Sequence, residues 1–237
     1  MRNFICLLLM TTLCGPALAE SKSLEDKVTQ AIIEQTNEFR KSKSLEPVVP
    51  NESLTRCAKQ FAQFMAETDK YGHRADGRTP AQRAEAAGYD YCVVRENIAY
   101  RTNTGEVTSD SLTEVFVSGW IDSPPHRENM LEDYVTETGV AVASEDGVTY
   151  YAVQLFGRPE TASYRIHLTN TSGEARRLVI RAGDEKNTVE IRPRMILEMT
   201  RCFPSKLTLK DSQSSITIRE SAKLRIEDGQ LLRDKDE

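Results

Sequence analysis

The sequence predicts an α+β protein in which a helix-rich segment ending in a β-hairpin is followed by a small all-β segment. Three observations support this prediction. Apolar residues recur at steps of three and four up to about residue 131, two β-rich runs flank a Ser-Glu-Asp-Gly turn within 138–157, and short alternating runs follow from residue 160. The change of period places a domain boundary at 159/160.

Charge also divides the chain at this boundary. Residues 20–159 hold 23 acidic and 15 basic side chains, whereas residues 160–237 hold 13 acidic and 15 basic ones. Neither segment has the basic excess that is typical of a nucleic-acid-binding protein. We therefore expect no nucleic acid among the partners.

Residues 1–19 have the layout of a secretory signal peptide. One arginine precedes an apolar run, and Ala17-Leu18-Ala19 precedes the expected cleavage before Glu20. A lipoprotein anchor at Cys14 is the alternative, although Leu13 is a poor fit to the small residue that such processing requires. No later run approaches the ~18 apolar residues of a membrane helix. We expect a mature protein that is secreted or periplasmic, with no transmembrane segment.

The helix-rich segment has recognisable helix starts. Amphipathic helices are predicted at 23–43 and 51–68, and shorter helical segments at 79–87, at 109–120 and from residue 123. The predicted capping residues are Ser23, Asn51, Thr79 and Ser123.

Residues 160–230 are predicted to form the small β-rich domain. Its alternating runs lie at 164–168, 177–180, 188–191, 206–210, 215–218 and 224–226, with turns at Ser172-Gly173 and Ala182-Gly183. Residues 231–237 are predicted to be a disordered tail.

No local catalytic motif is present: the chain lacks G-x-S-x-G, H-E-x-x-H, a glycine-rich phosphate loop and C-x-x-C. An active site would have to combine distant residues, of which His73, Glu96 and His126 are the best candidates. Each has a structural alternative, because Glu96 can be a paired core residue and the histidines can be solvated surface residues. Two imidazoles and one carboxylate can also bind a zinc-like divalent cation.

Five motifs give the first segment a family resemblance. They are GHR at 72–74, AQRAEAAGY at 81–89, ENIAY at 96–100, W-x-x-SPPHRENML from Trp120, and TGVAVA with YYAVQLFG within 138–157. In order and spacing, roughly residues 28–157 resemble the bacterial form of the CAP (SCP-like) domain of cysteine-rich secretory, antigen 5 and pathogenesis-related 1 proteins. The resemblance implies a three-layer α–β–α sandwich with a central antiparallel sheet for residues 20–159.

The resemblance also implies a cleft lined by two histidines and two acidic residues. His73, Glu96 and His126 match three of these positions. At the fourth, where animal and plant members have a glutamate, this chain has Ser123, with Asp122 adjacent. The implied site therefore has two imidazoles and one carboxylate, and it would bind a divalent cation or a small ligand.

Ser123 also precedes His126 by three residues, which permits a nucleophile hypothesis. A serine before Pro-Pro at a helix start is better explained as an N-cap.

Three cysteines remain after signal cleavage, and the simplest arrangement in an oxidising compartment is one disulfide and one thiol. The resemblance favours a disulfide between Cys57 and Cys92, with two buried thiols as the alternative. It leaves Cys202 without an evident partner.

Members of this superfamily have been linked to lipid binding, cation binding and, in a few cases, proteolysis, so the fold does not fix the function. We expect an extracytoplasmic binding module whose cleft takes a divalent cation or a small ligand, including a lipid. Its C-terminal domain would attach to a cell-envelope or protein partner. The alternative is a metal-dependent hydrolase in which Glu96 is a ligand or base. A third possibility is that the cleft has no function and that the β-rich domain carries the function of the protein.

Overall fold

The computed structural model describes residues 22–182 and 185–234. The predicted signal peptide at 1–19, the alternative anchor at Cys14, Gly183 of a predicted turn and the last three residues lie outside this range. None of the helices in the described ranges is long and apolar enough to cross a membrane.

Across the described residues the chain forms five α-helices and twelve β-strands. The helices are α1 (Leu24–Ser42), α2 (Glu52–Thr68), α3 (Pro80–Ala86), α4 (Ser109–Asp122) and α5 (Pro124–Met130). The strands are β1 (Val49–Pro50), β2 (Tyr91–Thr102), β3 (Glu137–Ala143), β4 (Thr149–Pro159), β5 (Tyr164–Asn170), β6 (Arg176–Ala182), β7 (Glu185–Ile191), β8 (Ile196–Arg201), β9 (Ser205–Leu209), β10 (Ser215–Ile218), β11 (Ala222–Glu227) and β12 (Gln230–Arg233).

The predicted starts of the first three helices are confirmed. The side chains of Ser23 and Asn51 accept hydrogen bonds from amides in the first turns of α1 and α2. Thr79 and Gln82 form a capping box at α3, where Pro80 is the first helical residue. Ser123 precedes α5 as predicted, but its side chain makes no capping hydrogen bond.

The first sheet has the strand order β1-β3-β4-β2. Strands β3 and β4 form the predicted antiparallel hairpin, and β4 also pairs antiparallel with β2. The two-residue β1 pairs in parallel with β3, so this sheet has one parallel edge. Strand β2 lies at the opposite edge.

Helices cover both faces of this sheet, which confirms the three-layer sandwich. One apolar core lies between the sheet and helices α2 and α3, and it includes Leu54, Phe61, Met65, Val153 and Leu155. A second core lies between the other face and helices α1, α4 and α5, and it includes Ile32, Phe116, Trp120, Met130 and Phe156.

The C-terminal part is the predicted small all-β unit. Two four-stranded sheets, of order β10-β9-β6-β7 and β12-β11-β5-β8, bury one shared apolar core. Strands β8 and β12 were not predicted. The tail prediction is wrong for residues 231–233, because Asp228 and Gly229, both with positive φ, form a two-residue turn that returns the chain onto β11 as β12.

The disulfide prediction is wrong in its pairing. Cys92 is bonded to Cys202, at a Cα–Cα distance of 5.5 Å, and Cys57 is a free, buried thiol. Cys57 lies on the face of α2 that packs against the sheet, where burial raises the pKa of its thiol to about 11. Cys92 lies near the start of β2 and Cys202 directly follows β8, so the bond joins the first segment to the β-rich one.

Further contacts accompany this bond. The rings of Tyr134 and Phe203 meet edge to face at 5.4 Å between centroids. The backbone amide of Glu160 donates to the carbonyl of Asp90 at 3.0 Å. The two segments are therefore joined by covalent, aromatic and backbone interactions.

We predict that Gly139→Ala destabilises the fold. A Cβ on Gly139 of β3 would overlap the backbone of Leu54 and Thr55 in the first turn of α2, which cannot rotate away as a side chain can. We expect a loss of about 2 kcal/mol or more in the free energy of unfolding, measured by urea denaturation. Gly119→Ala in α4 is the control, because a Cβ there meets no atom within 4 Å and alanine favours the helix. Equal stability of the Gly139 variant and the parent would contradict the close packing of α2 on β3.

Candidate functional site

Glu96 lies in the middle of β2, opposite Leu155 of β4, and its side chain is only 1% exposed. Both of its carboxylate oxygens are occupied. Oε1 lies 2.8 Å from Nδ1 of His73, and Oε2 accepts a 2.7 Å hydrogen bond from Nη2 of Arg83. A buried carboxylate requires such partners, because without them the loss of solvation would favour its protonated form.

Arg83 of α3 is the cation of this network, and its side chain is 3% exposed. Its Nη1 donates to Asp76 at 2.9 Å and to the backbone carbonyls of His73 and Arg78 at 3.0 and 2.9 Å. The guanidinium carbon lies 3.5 Å from the centroid of the Phe61 ring, in a cation–π contact. Arg83 therefore holds the polar loop that carries His73 as well as the carboxylate of Glu96.

His73 has a half-exposed side chain, in contrast to its two buried partners. Because a carboxylate only accepts, Nδ1 of His73 carries the hydrogen in this contact. The pair fixes the ring and leaves Nε2 as the nitrogen available to a ligand.

His126 approaches from the other helical layer. It lies in the first turn of α5, and its backbone carbonyl accepts a 3.1 Å hydrogen bond from Nδ2 of Asn97. Asn129, on the same helix, donates to Oδ1 of Asn97 at 2.9 Å and to the carbonyl of Glu96 at 3.1 Å. These amide side chains fasten α5 to β2.

Burial lowers the pKa of His126, and the nearby charge of His73 lowers it further. The structure thus brings the two imidazoles into one electrostatic environment. His73 contacts Glu96 and the backbone of His126 contacts Asn97, so both histidines lie beside the edge strand β2.

The outer edge of β2 is closed by side chains rather than by another strand. The carbonyl of Glu96 accepts from Asn129, and the carbonyl of Ile98 accepts from the Tyr71 hydroxyl at 3.1 Å and from Trp120 Nε1 at 3.3 Å. Such contacts satisfy backbone groups that would otherwise invite pairing with another chain.

Two exposed tyrosines border this region. Tyr71 and Tyr100 are 47% and 54% exposed, and their rings meet edge to face at 4.9 Å. Partial burial, and then the neighbouring Tyr100 and Glu96, raise the pKa of Tyr71. A ligand at His73 would therefore have aromatic surface beside it.

The three residues predicted as a ligand set do not form a three-ligand metal centre. Glu96 contacts His73, and His126 lies near His73, but both oxygens of Glu96 are held by other side chains. In the described ranges, no group of three or more histidine, cysteine, aspartate or glutamate side chains is placed to hold a metal ion. Two imidazoles remain as potential ligands.

Arg83, Asn97 and Asn129 were not identified from the sequence. A signal for Arg83 was present in the sequence, because it lies in the short, alanine-rich α3. An arginine that such a helix buries requires a buried acid as its partner. The asparagines lie beside Glu96 and three residues after His126, in the two motifs that already contained the predicted residues.

Comparison with known proteins places the first segment in a family. The CAP family, described as the cysteine-rich secretory protein family, matches residues 33–156, just over half of the chain. An uncharacterized protein of Bacillus subtilis (strain 168), YkwD, is 28% identical over 118 residues, which cover 49% of this chain and 43% of that protein. The match thus spans less than half of the length of this relative.

Solved structures of other proteins are similar to just over half of the chain. An outer surface protein from Borrelia burgdorferi has a TM-score of 0.49 and 22% identity, covering 56% of this chain and 93% of that one. An extracellular protein containing a SCP domain, from Bacillus anthracis str. Ames, has a TM-score of 0.47 and 24% identity, covering 56% of this chain and 41% of that one.

We predict that His126 titrates below the ordinary histidine value near 6.5, because burial and His73 both disfavour its charged form. The unfolded chain then binds this proton more readily, so the full stability is present above about pH 6.5 and is lost as the pH falls from there through the lower pKa of the folded state. Imidazole NMR titration measures the pKa directly.

In a His73→Ala variant we expect the pKa of His126 to rise part of the way, because burial remains. A pKa at or above the ordinary value in the parent would contradict the described environment.

Proposed function

The chain belongs to the cysteine-rich secretory protein (CAP) family, and on that premise we propose that it is an extracytoplasmic binding module whose cleft at His73 and His126 takes a small ligand. The β-rich segment, in this proposal, attaches the module to a cell-envelope or protein partner.

Two features support action outside the cytoplasm. The first 19 residues have the layout of a secretory signal peptide. The disulfide joins Cys92 to Cys202, which are 110 residues apart in the sequence, and such bonds persist in oxidising compartments. The same bond keeps the β-rich segment attached to the strand that carries Glu96.

The observation that carries the proposal is the full occupation of the Glu96 carboxylate. With Arg83 on one oxygen and His73 on the other, Glu96 positions an imidazole and stabilises it. A general base for hydrolysis needs an oxygen within hydrogen-bond reach of the water that it deprotonates. Glu96 is 1% exposed and already accepts two bonds, so the geometry supports binding better than hydrolysis.

The residues around His73 suggest the chemistry of the ligand. Nε2 of His73 and the neutral ring of His126 offer hydrogen bonds, and the exposed faces of Tyr71 and Tyr100 offer apolar surface. This combination suits a small molecule or lipid headgroup with a polar group and an apolar part. A zinc-like cation could bind the two imidazoles, but Glu96 has no free oxygen to offer it. Two ligands are half of the four that zinc prefers.

We predict that a small-fragment screen, read out by amide chemical shifts, finds ligands that perturb residues 71–74 and 124–130. The His73→Ala/His126→Ala double variant should lose these shifts, because both polar contacts are removed. His167→Ala is the matched control, since that histidine lies on β5 outside the cleft and should leave the shifts intact. Shifts that persist in the double variant, or a screen without any hit at these residues, would contradict the proposal.

Zinc titration by calorimetry of the same three proteins and of Glu96→Gln separates a cation from other ligands. With two imidazoles alone we expect only weak binding that the double variant lacks. Tight binding that is lost in Glu96→Gln would show that Glu96 leaves Arg83 to act as a ligand, and would overturn its positioning role.

A further inference from the structure

A cationic groove of about 560 Å³ lies on the outer face of the sheet β10-β9-β6-β7. Its lining consists of four basic residues, three polar residues and one valine: Arg181, Lys186, Lys206, Lys210, Thr188, Thr208, Gln213 and Val179. Among the described residues, the lining contains no carboxylate and no aromatic ring. None of its residues belongs to the site around His73.

The strand register places three of these cations side by side. Arg181 of β6 lies directly opposite Lys186 of β7 and directly opposite Lys206 of β9. Neighbouring strands are about 4.8 Å apart, so the three side chains form a row across roughly 10 Å of the sheet. Like charges directly opposite each other on a sheet destabilise it. An anion in the groove would remove this repulsion.

Of the described acids next to these strands, Glu185 directly precedes Lys186 and so points to the other face of β7, and Glu190 and Asp211 have partners. Glu190 and Asp211 are at the other end of β6, where Asp211 approaches Arg177 at 4.0 Å and Glu190 approaches Arg192 at 3.7 Å. Within the described ranges, the four groove cations make no ion pair, whereas several other cations of the β-rich segment do. Those paired cations are Arg176, Arg177, Arg192, Arg225 and Arg233.

We propose that this groove binds a linear anionic polysaccharide of the cell envelope. The row of cations matches charges that repeat along a polymer chain, and the side chains of Thr188, Thr208 and Gln213 can hydrogen-bond sugar hydroxyls. Single-stranded nucleic acids are usually bound on aromatic stacking platforms, which this lining lacks. The inference rests on the proposed role of the β-rich segment in attachment, and it specifies the chemistry of the partner.

Alginate oligosaccharides of about ten units, titrated into the full chain at low salt with a chelator present, test this assignment. We expect binding that weakens as salt is added, because exposed charges are screened. The triple variant Arg181→Gln/Lys186→Gln/Lys206→Gln should weaken the affinity by about tenfold or more. Neutral dextran of equal length should not bind.

A second triple variant, Lys59→Gln/Arg165→Gln/Arg219→Gln, removes the same net charge from exposed positions outside the groove. Its affinity should change less than about twofold. Both triple variants should have a thermal midpoint at least as high as that of the parent, because removal of the groove cations relieves their repulsion. The His73→Ala/His126→Ala variant should bind alginate as the parent does, so failure here is distinct from failure of the cleft.

Four outcomes would overturn the proposal. These are no alginate binding by the parent, equal weakening in both triple variants, oligothymidylate bound through the groove as tightly as alginate, and a parent dimer that the groove variant dissociates. The third outcome would assign the groove to nucleic acid, and the fourth would assign it to the acidic surface of a second copy.

Discussion

The buried ion pair between Arg83 and Glu96 is the interaction on which the site depends. It joins α3 to the centre of β2, and the same guanidinium holds the backbone carbonyls of His73 and Arg78. Removing one partner of such a pair leaves a buried charge without compensation, at a cost of about 3–5 kcal/mol. The polar loop after α2 therefore has a fixed course although it contains no regular secondary structure.

The position of β2 at the edge of the sheet explains why residues from both helical layers lie beside this pair. Glu96 and Asn97 are neighbours on a strand and so point to opposite faces. One contacts His73 and Arg83 in the α3 layer, and the other contacts α5 in the opposite layer. The two histidines consequently belong to different layers and lie at the same edge of the sheet. The carboxylate orients one of them, and the resulting surface presents imidazoles bordered by tyrosine rings.

Local patterns were sufficient to predict the helices, the hairpin and six strands of the β-rich segment, whereas the three-layer sandwich was implied by the family resemblance. The caps at Ser23, Asn51 and Thr79 are local signals, and so is the 138–157 hairpin. Contacts between residues that are far apart in the sequence were harder to predict. Arg83 was missed and Cys92 was paired with the wrong partner, because nothing in the spacing of the chain shows that α3 faces β2 or that the end of β8 reaches the start of β2. His73, Glu96 and His126 were candidates from their own chemistry, and motif resemblance then grouped them into one site, which identifies positions without showing which atoms are already engaged.

A double-mutant cycle on Arg83→Met and Glu96→Gln, with free energies of unfolding from urea denaturation, tests the central claim most directly. If the two side chains form a buried, mutually dependent pair, each single variant loses several kcal/mol of unfolding free energy. The loss in the double variant is then smaller than the sum of the two single losses, by at least about 2 kcal/mol. Additive losses, within about 0.5 kcal/mol, would mean that Arg83 and Glu96 act independently and that the site is organised by other contacts.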